Sequence, residues 1–121
     1  MHTIRLKHPW QKRGPAGQSV KVDVPETEST QHDGAHTYCR TFHTPSGLEP
    51  STRVHLQVTE WRGQLESISL NGHVLDADDH LDREISELLE KNNRIEIEIR
   101  GVGDQLACLS GEVRLVIHDD E

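Results

Sequence analysis

Aromatic residues are nearly absent from this chain of 121 residues: at 3% of the sequence they are Trp10, Tyr38, Phe42 and Trp61 alone. So few rings mean a core built from aliphatic side chains and little surface on which a base or a sugar could stack. Basic residues are scarce as well, 13 against 21 acidic ones, for a formal net charge of −8. The excess lies in residues 61–121, which hold 6 basic and 15 acidic groups. Nonspecific nucleic-acid affinity comes from Lys and Arg displacing counterions, and anionic lipid surfaces make the same demand. Neither nucleic acid nor membrane is therefore an expected partner. Long apolar runs are missing too, so no segment approaches the roughly 18 residues a spanning helix needs. The start, Met1-His2-Thr3-Ile4-Arg5, lacks the charged-then-apolar order of a signal peptide, which makes the cytoplasm the expected location. Two cysteines, Cys39 and Cys108, can pair only once, and their spacing matches no metal or redox motif; two reduced thiols are expected.

What the chain does have is alternation. Leu, Ile, Val and Phe make up about a quarter of it, above the roughly 20% below which a charged sequence stays disordered. Its length suits one domain over residues 1–121. The clearest block is Arg94-Ile95-Glu96-Ile97-Glu98-Ile99-Arg100, with three isoleucines on one face and charges on the other. The same period of two puts Val54, Leu56 and Val58 inward, and likewise Val113, Leu115 and Ile117. Shorter blocks carry Ile4 and Leu6; Val20, Val22 and Val24; Ile68 and Leu70. From Thr37 to His43 another strand is expected, with Tyr38, Arg40 and Phe42 on one face, where Arg40 needs a partner.

The breaks have local causes. Pro9 to Gly17 is interrupted by Pro9, Gly14, Pro15 and Gly17, and Pro45 to Pro50 is a second break. Asn71-Gly72 is a tight-turn signal, because both residues tolerate positive φ. Residues 26–35 are polar and aperiodic and read as a long mobile loop. One segment looks helical, at about 83–91: Ile85, Leu88 and Leu89 fall at i, i+3 and i+4, and acidic residues crowd its first turn. About seven short strands with one minor helix imply two stacked antiparallel sheets, since each sheet is apolar on one face and must cover it. The order Cys39, Trp61, Cys108 invites an immunoglobulin reading. It fails because Leu106 stands where a tyrosine would be and Trp61 follows its strand. A jelly roll fits better.

Certain segments follow one another at family-like distances: Tyr38-Cys39-Arg40-Thr41-Phe42-His43-Thr44-Pro45, Arg53-Val54-His55-Leu56, Ser69-Leu70-Asn71-Gly72-His73-Val74-Leu75, Arg83-Glu84-Ile85-Ser86-Glu87-Leu88-Leu89 and Asn93-Arg94-Ile95-Glu96-Ile97-Glu98-Ile99. This stretch resembles the N-terminal sugar-binding domain of family 2 glycoside hydrolases, and more broadly the galactose-binding-like jelly rolls. The match runs from about Tyr38 to Arg100, with Gly111 to His118 fitting the closing strand. The resemblance implies an all-β jelly-roll sandwich without catalytic groups, because those enzymes carry their acid and nucleophile in a separate barrel. It departs from the family at Asp76-Ala77-Asp78-Asp79-His80-Leu81-Asp82, where glycine and aromatic residues are more usual.

Asp76, Asp78, Asp79 and Asp82 crowd several carboxylates into one turn, the ligand type that Ca²⁺ prefers. As a helix-loop-helix calcium loop the segment fails at its sixth position, Leu81, where glycine is required, and a strand precedes it. A solvated acidic loop is expected, with weak Ca²⁺ binding the alternative and no other cofactor suggested. Nine histidines are scattered along the chain, and only His32 and His36 are closely spaced. Strand pairing could gather His43, His55 or His118. Glu60, Glu66, Glu96 and Glu98 lack the paired geometry and apolar wall that acid/base catalysis needs, and flanking arginines suit charge pairing across strands. No serine or cysteine sits in a nucleophile elbow. Trp10 and Trp61, each beside basic residues, and Arg62 are the candidate ligand contacts, although tryptophans at strand ends also commonly cover a core. The expected function is a non-catalytic module binding a carbohydrate or small polar ligand through its loops. The alternative is a protein-interaction module with no small ligand.

Overall fold

A computed structural model describes residues 2–26 and 34–118. Ten strands account for most of them: β1 His2–Arg5, β2 Trp10–Arg13, β3 Ser19–Val22, β4 Ala35–His43, β5 Arg53–Val58, β6 Gln64–Leu70, β7 His73–Leu75, β8 Leu81–Glu84, β9 Asn92–Arg100 and β10 Val113–His118. They form a four-stranded sheet in the order β1-β10-β5-β8 and a six-stranded sheet in the order β3-β2-β4-β9-β6-β7. Every pairing is antiparallel. The expected two-sheet all-β sandwich is the observed fold. Among the described residues no helix is long and apolar enough to cross a membrane.

Period-two alternation produces the core. Ile95, Ile97 and Ile99 of β9 are each fully buried, and Val54, Leu56 and Val58 of β5 face them from the other sheet with Val113 and Leu115 of β10. Each such aliphatic side chain contributes roughly 1.5–3 kcal/mol by leaving water. Because β4 and β6 flank β9 on its two edges, this strand is the centre of the larger sheet. At the Asn71-Gly72 turn both residues have positive φ, 52° and 84°, the conformation that lets two residues join β6 to β7. Gly63 is fixed by contact as well as by φ: a Cβ there would lie 2.6 Å from the Arg100 carbonyl oxygen.

Several expectations change once the strands are paired. The break expected from Pro9 to Gly17 contains β2, because Trp10 and Lys12 both point inward and the strand pairs with β3 and β4. The helix expected at about 83–91 is a single 3-10 turn, Ser86–Leu88. The residues before it form β8, held to β5 by ladder pairing from His55–Glu84 to Val58–Leu81. Ile85, Leu88 and Leu89 do turn toward the core, so the apolar spacing was real but too short for a helix to outcompete an available sheet edge. Ile4 and Val20 lie on inward positions yet stay 38% and 55% exposed, since β1 and β3 are edge strands. Of the loop expected at 26–35, residues 27–33 lie outside the described residues, while Glu26 is anchored and Ala35 already begins β4.

Asn93 is buried and satisfies a crowded corner. Its Oδ1 accepts from the Glu90 amide at 2.8 Å and from Asn71 Nδ2 at 3.0 Å, and its Nδ2 donates to Thr44 Oγ1 at 2.8 Å. Asn71 in turn donates to the Leu88 carbonyl at 2.9 Å and accepts from the Arg94 amide at 2.9 Å. Asn71, read as a turn signal, and Asn93 thus bind the 3-10 turn, the hairpin and β9 together.

Candidate functional site

The three proposed ligand contacts part company in the fold. Trp10 is fully buried, and its Nε1 donates to the Leu6 carbonyl at 2.7 Å. This corrects its assignment as a ligand contact: an indole inside the sandwich offers no face to a sugar. Trp61 is half-buried and packs against the core edge. Arg62 does border open space, a cleft of about 450 Å³ shared with Asp104, Gln105 and Leu106. Its backbone is bridged to Cys108 in both directions, at 2.8 and 3.1 Å, so the cleft stands on a braced support. Both cysteines are free.

The acidic turn opens a cleft of about 200 Å³ lined by Asp76, Ala77, Asp78, His80 and Asp82. Two of its carboxylates already have partners. Asp82 meets His55 Nδ1 at 2.9 Å and Gln57 Nε2 at 3.1 Å, contacts that hold its carboxyl below the usual range. Asp79 meets His80 Nδ1 at 2.8 Å, which lowers the aspartate and raises the histidine. Among the described residues no three His, Cys, Asp or Glu side chains converge in a way that could hold a metal ion. The gathering of histidines is partial: His55 and His118 meet edge to face, 5.4 Å between centroids, whereas His43 sits at the end of β4 in the other sheet. His32 lies outside the described residues.

Charged groups on the outer sheet faces pair with one another. Arg94 Nε donates to Glu96 at 2.8 Å within β9, and Arg100 Nε donates to Glu66 of β6 at 2.8 Å. Only the second of these spans two strands. A different cluster, invisible in the sequence, is buried behind β2. Lys12 Nζ, almost without exposure, binds both Glu26 oxygens at 3.0 and 2.9 Å. Tyr38 donates its hydroxyl to Glu26 and accepts from the Leu109 amide at 3.2 Å. Burial, and then the Glu26 contact, hold the Tyr38 phenol far above its ordinary range. Burial also pushes the Cys108 thiol up to about 11, which keeps it protonated and inert as a nucleophile. This cluster ties the strand-free segment at 105–110 to the large sheet. Arg40 has no comparable support: its Nε and Nη1 are buried and lack hydrogen-bond partners among the described residues.

The outer face of the six-stranded sheet carries a trough of about 400 Å³. Its floor is β4, whose outward residues Thr37, Cys39 and Thr41 are short. Gln11 and Arg13 of β2 rise on one side and Arg94 and Glu96 of β9 on the other, because Cys39 is paired with Gln11 and with Glu96 in the two ladders. Ser19 closes an end by donating to Gln11 Oε1 at 2.9 Å. Cys39 is half-buried here, and its thiol is raised chiefly by burial, against the pull of Arg94 and Arg13. Alternation placed these residues on an outer face, but only the register of three strands shows that short side chains lie between two long rows.

In sequence, the chain matches no family description and no curated protein. In structure it matches glycosidases over nearly its whole length. An FMN-binding β-glucuronidase from Faecalibacterium prausnitzii L2-6 superposes with a TM-score of 0.79 at 19% identity, covering 98% of this chain and 22% of that one. The fold is one that these glycosidases contain. A β-D-mannosidase from Dictyoglomus thermophilum gives a TM-score of 0.76 at 12% identity, with 98% of this chain and 23% of that one covered. A β-D-glucuronidase from Dictyoglomus thermophilum gives 0.75 at 14% identity, with 98% and 28% covered. The sandwich thus spans less than a third of each of these enzymes. The resemblance carried by the segments from Tyr38 to Arg100 extends, as a likeness of fold, to 98% of the chain.

Proposed function

We propose that this chain is a non-catalytic sandwich module that binds a saccharide or a closely related small polar molecule. The observation that carries this reading is the match of nearly the entire chain to a minor part of several glycosidases that differ in their named sugars. A non-catalytic role is supported by the engagement of three carboxylates: Glu66 and Glu96 are held by arginines and Glu26 by Lys12 and Tyr38. Two concavities lined by polar groups are available to a ligand, the trough over β4 and the cleft beside Arg62. Titration of the ¹⁵N-labelled protein with a panel of mono- and oligosaccharides tests this function. Localised amide shifts around one concavity support it, and a spectrum unmoved at tens of millimolar sugar rejects it.

A second reading, docking to a protein or a neighbouring domain, is favoured by one feature. Ile4 on β1 and Val20 on β3 are apolar, inward-facing and uncovered. Ile4→Lys and Val20→Lys would abolish a partner's binding under that reading while leaving saccharide shifts unchanged.

A further inference from the structure

We infer that the trough over β4 is a site for an anionic saccharide, with its carboxylate or sulfate seated on Arg13 and its hydroxyls between Gln11, Thr41 and the Arg94–Glu96 pair. It presupposes the saccharide-binding function proposed above and adds both a place and a ligand class.

Three features of the trough lead to this. First, none of its lining residues is aromatic. A neutral pyranose is commonly gripped by stacking its apolar face on a ring, and here there is no ring to stack on. Affinity has to come from hydrogen bonds, and in an open trough only charge-assisted ones are strong. Second, the charges of the lining are unequally engaged. Arg94 and Glu96 neutralise each other at 2.8 Å, whereas no hydrogen bond or ion pair among the described residues occupies the exposed Arg13 guanidinium. Arg40 also borders the trough, but it belongs to the inward face of β4 and its Nε and Nη1 are buried, so on the outer face the trough offers one uncommitted cation, in a chain whose formal net charge is −8. A guanidinium presents a planar fork of donors that matches a carboxylate or sulfate in two-point contact. Third, the rest of the lining suits hydroxyls. Thr37, Thr41 and Ser19 can both donate and accept, Gln11 offers an amide, and the Arg94–Glu96 pair sets a donor beside an acceptor, the pattern two adjacent sugar hydroxyls require. About 400 Å³ lies at the small end of ligand-site volumes, enough for one or two sugar units. Glu98 lies in the same cross-strand row as Thr37 and Arg13, on the β9 side and outside the lining, and it limits the site to ligands whose negative group stays over β2.

Cys39 reports on the floor of this trough, since it is half-buried there while Cys108 is 1% exposed. The full chain is titrated with sodium glucuronate, glucose 6-sulfate, glucose, sodium acetate and sodium sulfate at matched ionic strength. Amide shifts are followed by NMR, and Cys39 alkylation by neutral iodoacetamide is timed in parallel. The expected result is that glucuronate or glucose 6-sulfate, and glucose far less, moves the amides of Gln11, Arg13, residues 37–41 and residues 94–96 and slows alkylation. Arg13→Gln, an exposed substitution whose folding is checked by its melting curve, should weaken that binding about tenfold or more. Glucuronate alone or glucose 6-sulfate alone binding would identify the carboxylate or the sulfate as the group recognised. Equal affinity for glucose, full affinity in Arg13→Gln, or shifts confined to the Arg62 cleft would overturn the inference and leave the saccharide function standing. Acetate and sulfate binding as well as their sugar counterparts would overturn it as well, leaving a simple anion site. Silence toward every sugar would remove both this site and the function it presupposes.

Discussion

Lys12 and Glu26 form an ion pair with 2.9 Å between Nζ and Oε2 and side-chain exposures of only 2% and 10%. A buried pair of this kind adds little over a well-packed apolar pair, but losing one partner strands the other charge. Glu26→Ala should therefore cost about 3–5 kcal/mol, leaving Lys12 without a counterion, with a weak 3.5 Å contact to the Ala107 carbonyl and the Tyr38 ring 4.9 Å away. The double variant Lys12→Met with Glu26→Leu should recover most of that loss. Urea denaturation of the three proteins checks both statements, and a Glu26→Ala variant as stable as the parent would show that the pair is not closed in solution.

Tyr38 is the only tyrosine, so alkaline titration reads it alone. Its folded-state proton is held far above the ordinary value of 10.0, by burial first and by Glu26 second. The unfolded chain releases that proton near pH 10 and the folded chain does not. Stability should thus be insensitive to this group below pH 10 and fall above it by about 1.4 kcal/mol per pH unit. Tyrosinate absorbance should rise only together with unfolding. Smooth ionisation near pH 10 with an intact fold would contradict the buried hydroxyl.

Arg40 is the opposite case, a cation on the inward face of β4 whose Nε and Nη1 have no acceptor among the described residues. Burial alone lowers its pKa, and no partner offsets the cost. Arg40→Met keeps the length of the stem and removes the desolvated charge. It should leave the melting temperature unchanged or raise it by a few degrees, and a clear drop would mean that the guanidinium has a partner in solution.

The two tryptophans should separate by fluorescence. Trp10 is fully buried and Trp61 half-buried, so iodide should quench the Trp10→Phe protein and barely affect Trp61→Phe. Trp10→Phe should also lose stability, by roughly 1 kcal/mol for the hydrogen bond to Leu6 and more for the vacated volume. Strong quenching in Trp61→Phe would return Trp10 to the surface and to the ligand question.

Asp82 tests the acidic turn. With its carboxyl held below the ordinary 3.8 by His55 and Gln57, it stabilises the fold above that value and loses the contribution as pH falls through its native pKa. The pair is partly exposed, so Asp82→Asn should cost less than about 1 kcal/mol at neutral pH and nothing near pH 2. Millimolar calcium should leave the melting temperature of both proteins where it was, because Asp82 is engaged by His55 and Gln57 and no three acidic or histidine side chains among the described residues converge to hold a cation. A calcium-dependent rise that Asp78→Ala removes would establish a site built by rearrangement.

What the sequence by itself determined is the set of elements whose signal is local. Alternation in Arg94–Arg100, Arg53–Val58 and Val113–His118 places one residue in two against the core, whatever the topology, and the Asn71-Gly72 pair needs only its own φ preferences to make a turn. The family-like spacing from Tyr38 to Arg100 led to the right fold because those motifs are turn and core positions. Tertiary structure decided the rest. Trp10 moved from loop to core because β2 found partners in β3 and β4, and the apolar spacing after Asp82 yielded to a sheet edge that β5 held open. Glu26 came to Lys12 and Tyr38 from the segment after β3, a contact that no short window of sequence contains. The trough over β4 exists only because Gln11, Cys39 and Glu96 share a register. Register is a relation between strands distant in the chain, and hydrophobic pattern chooses the face of a residue without naming its neighbour.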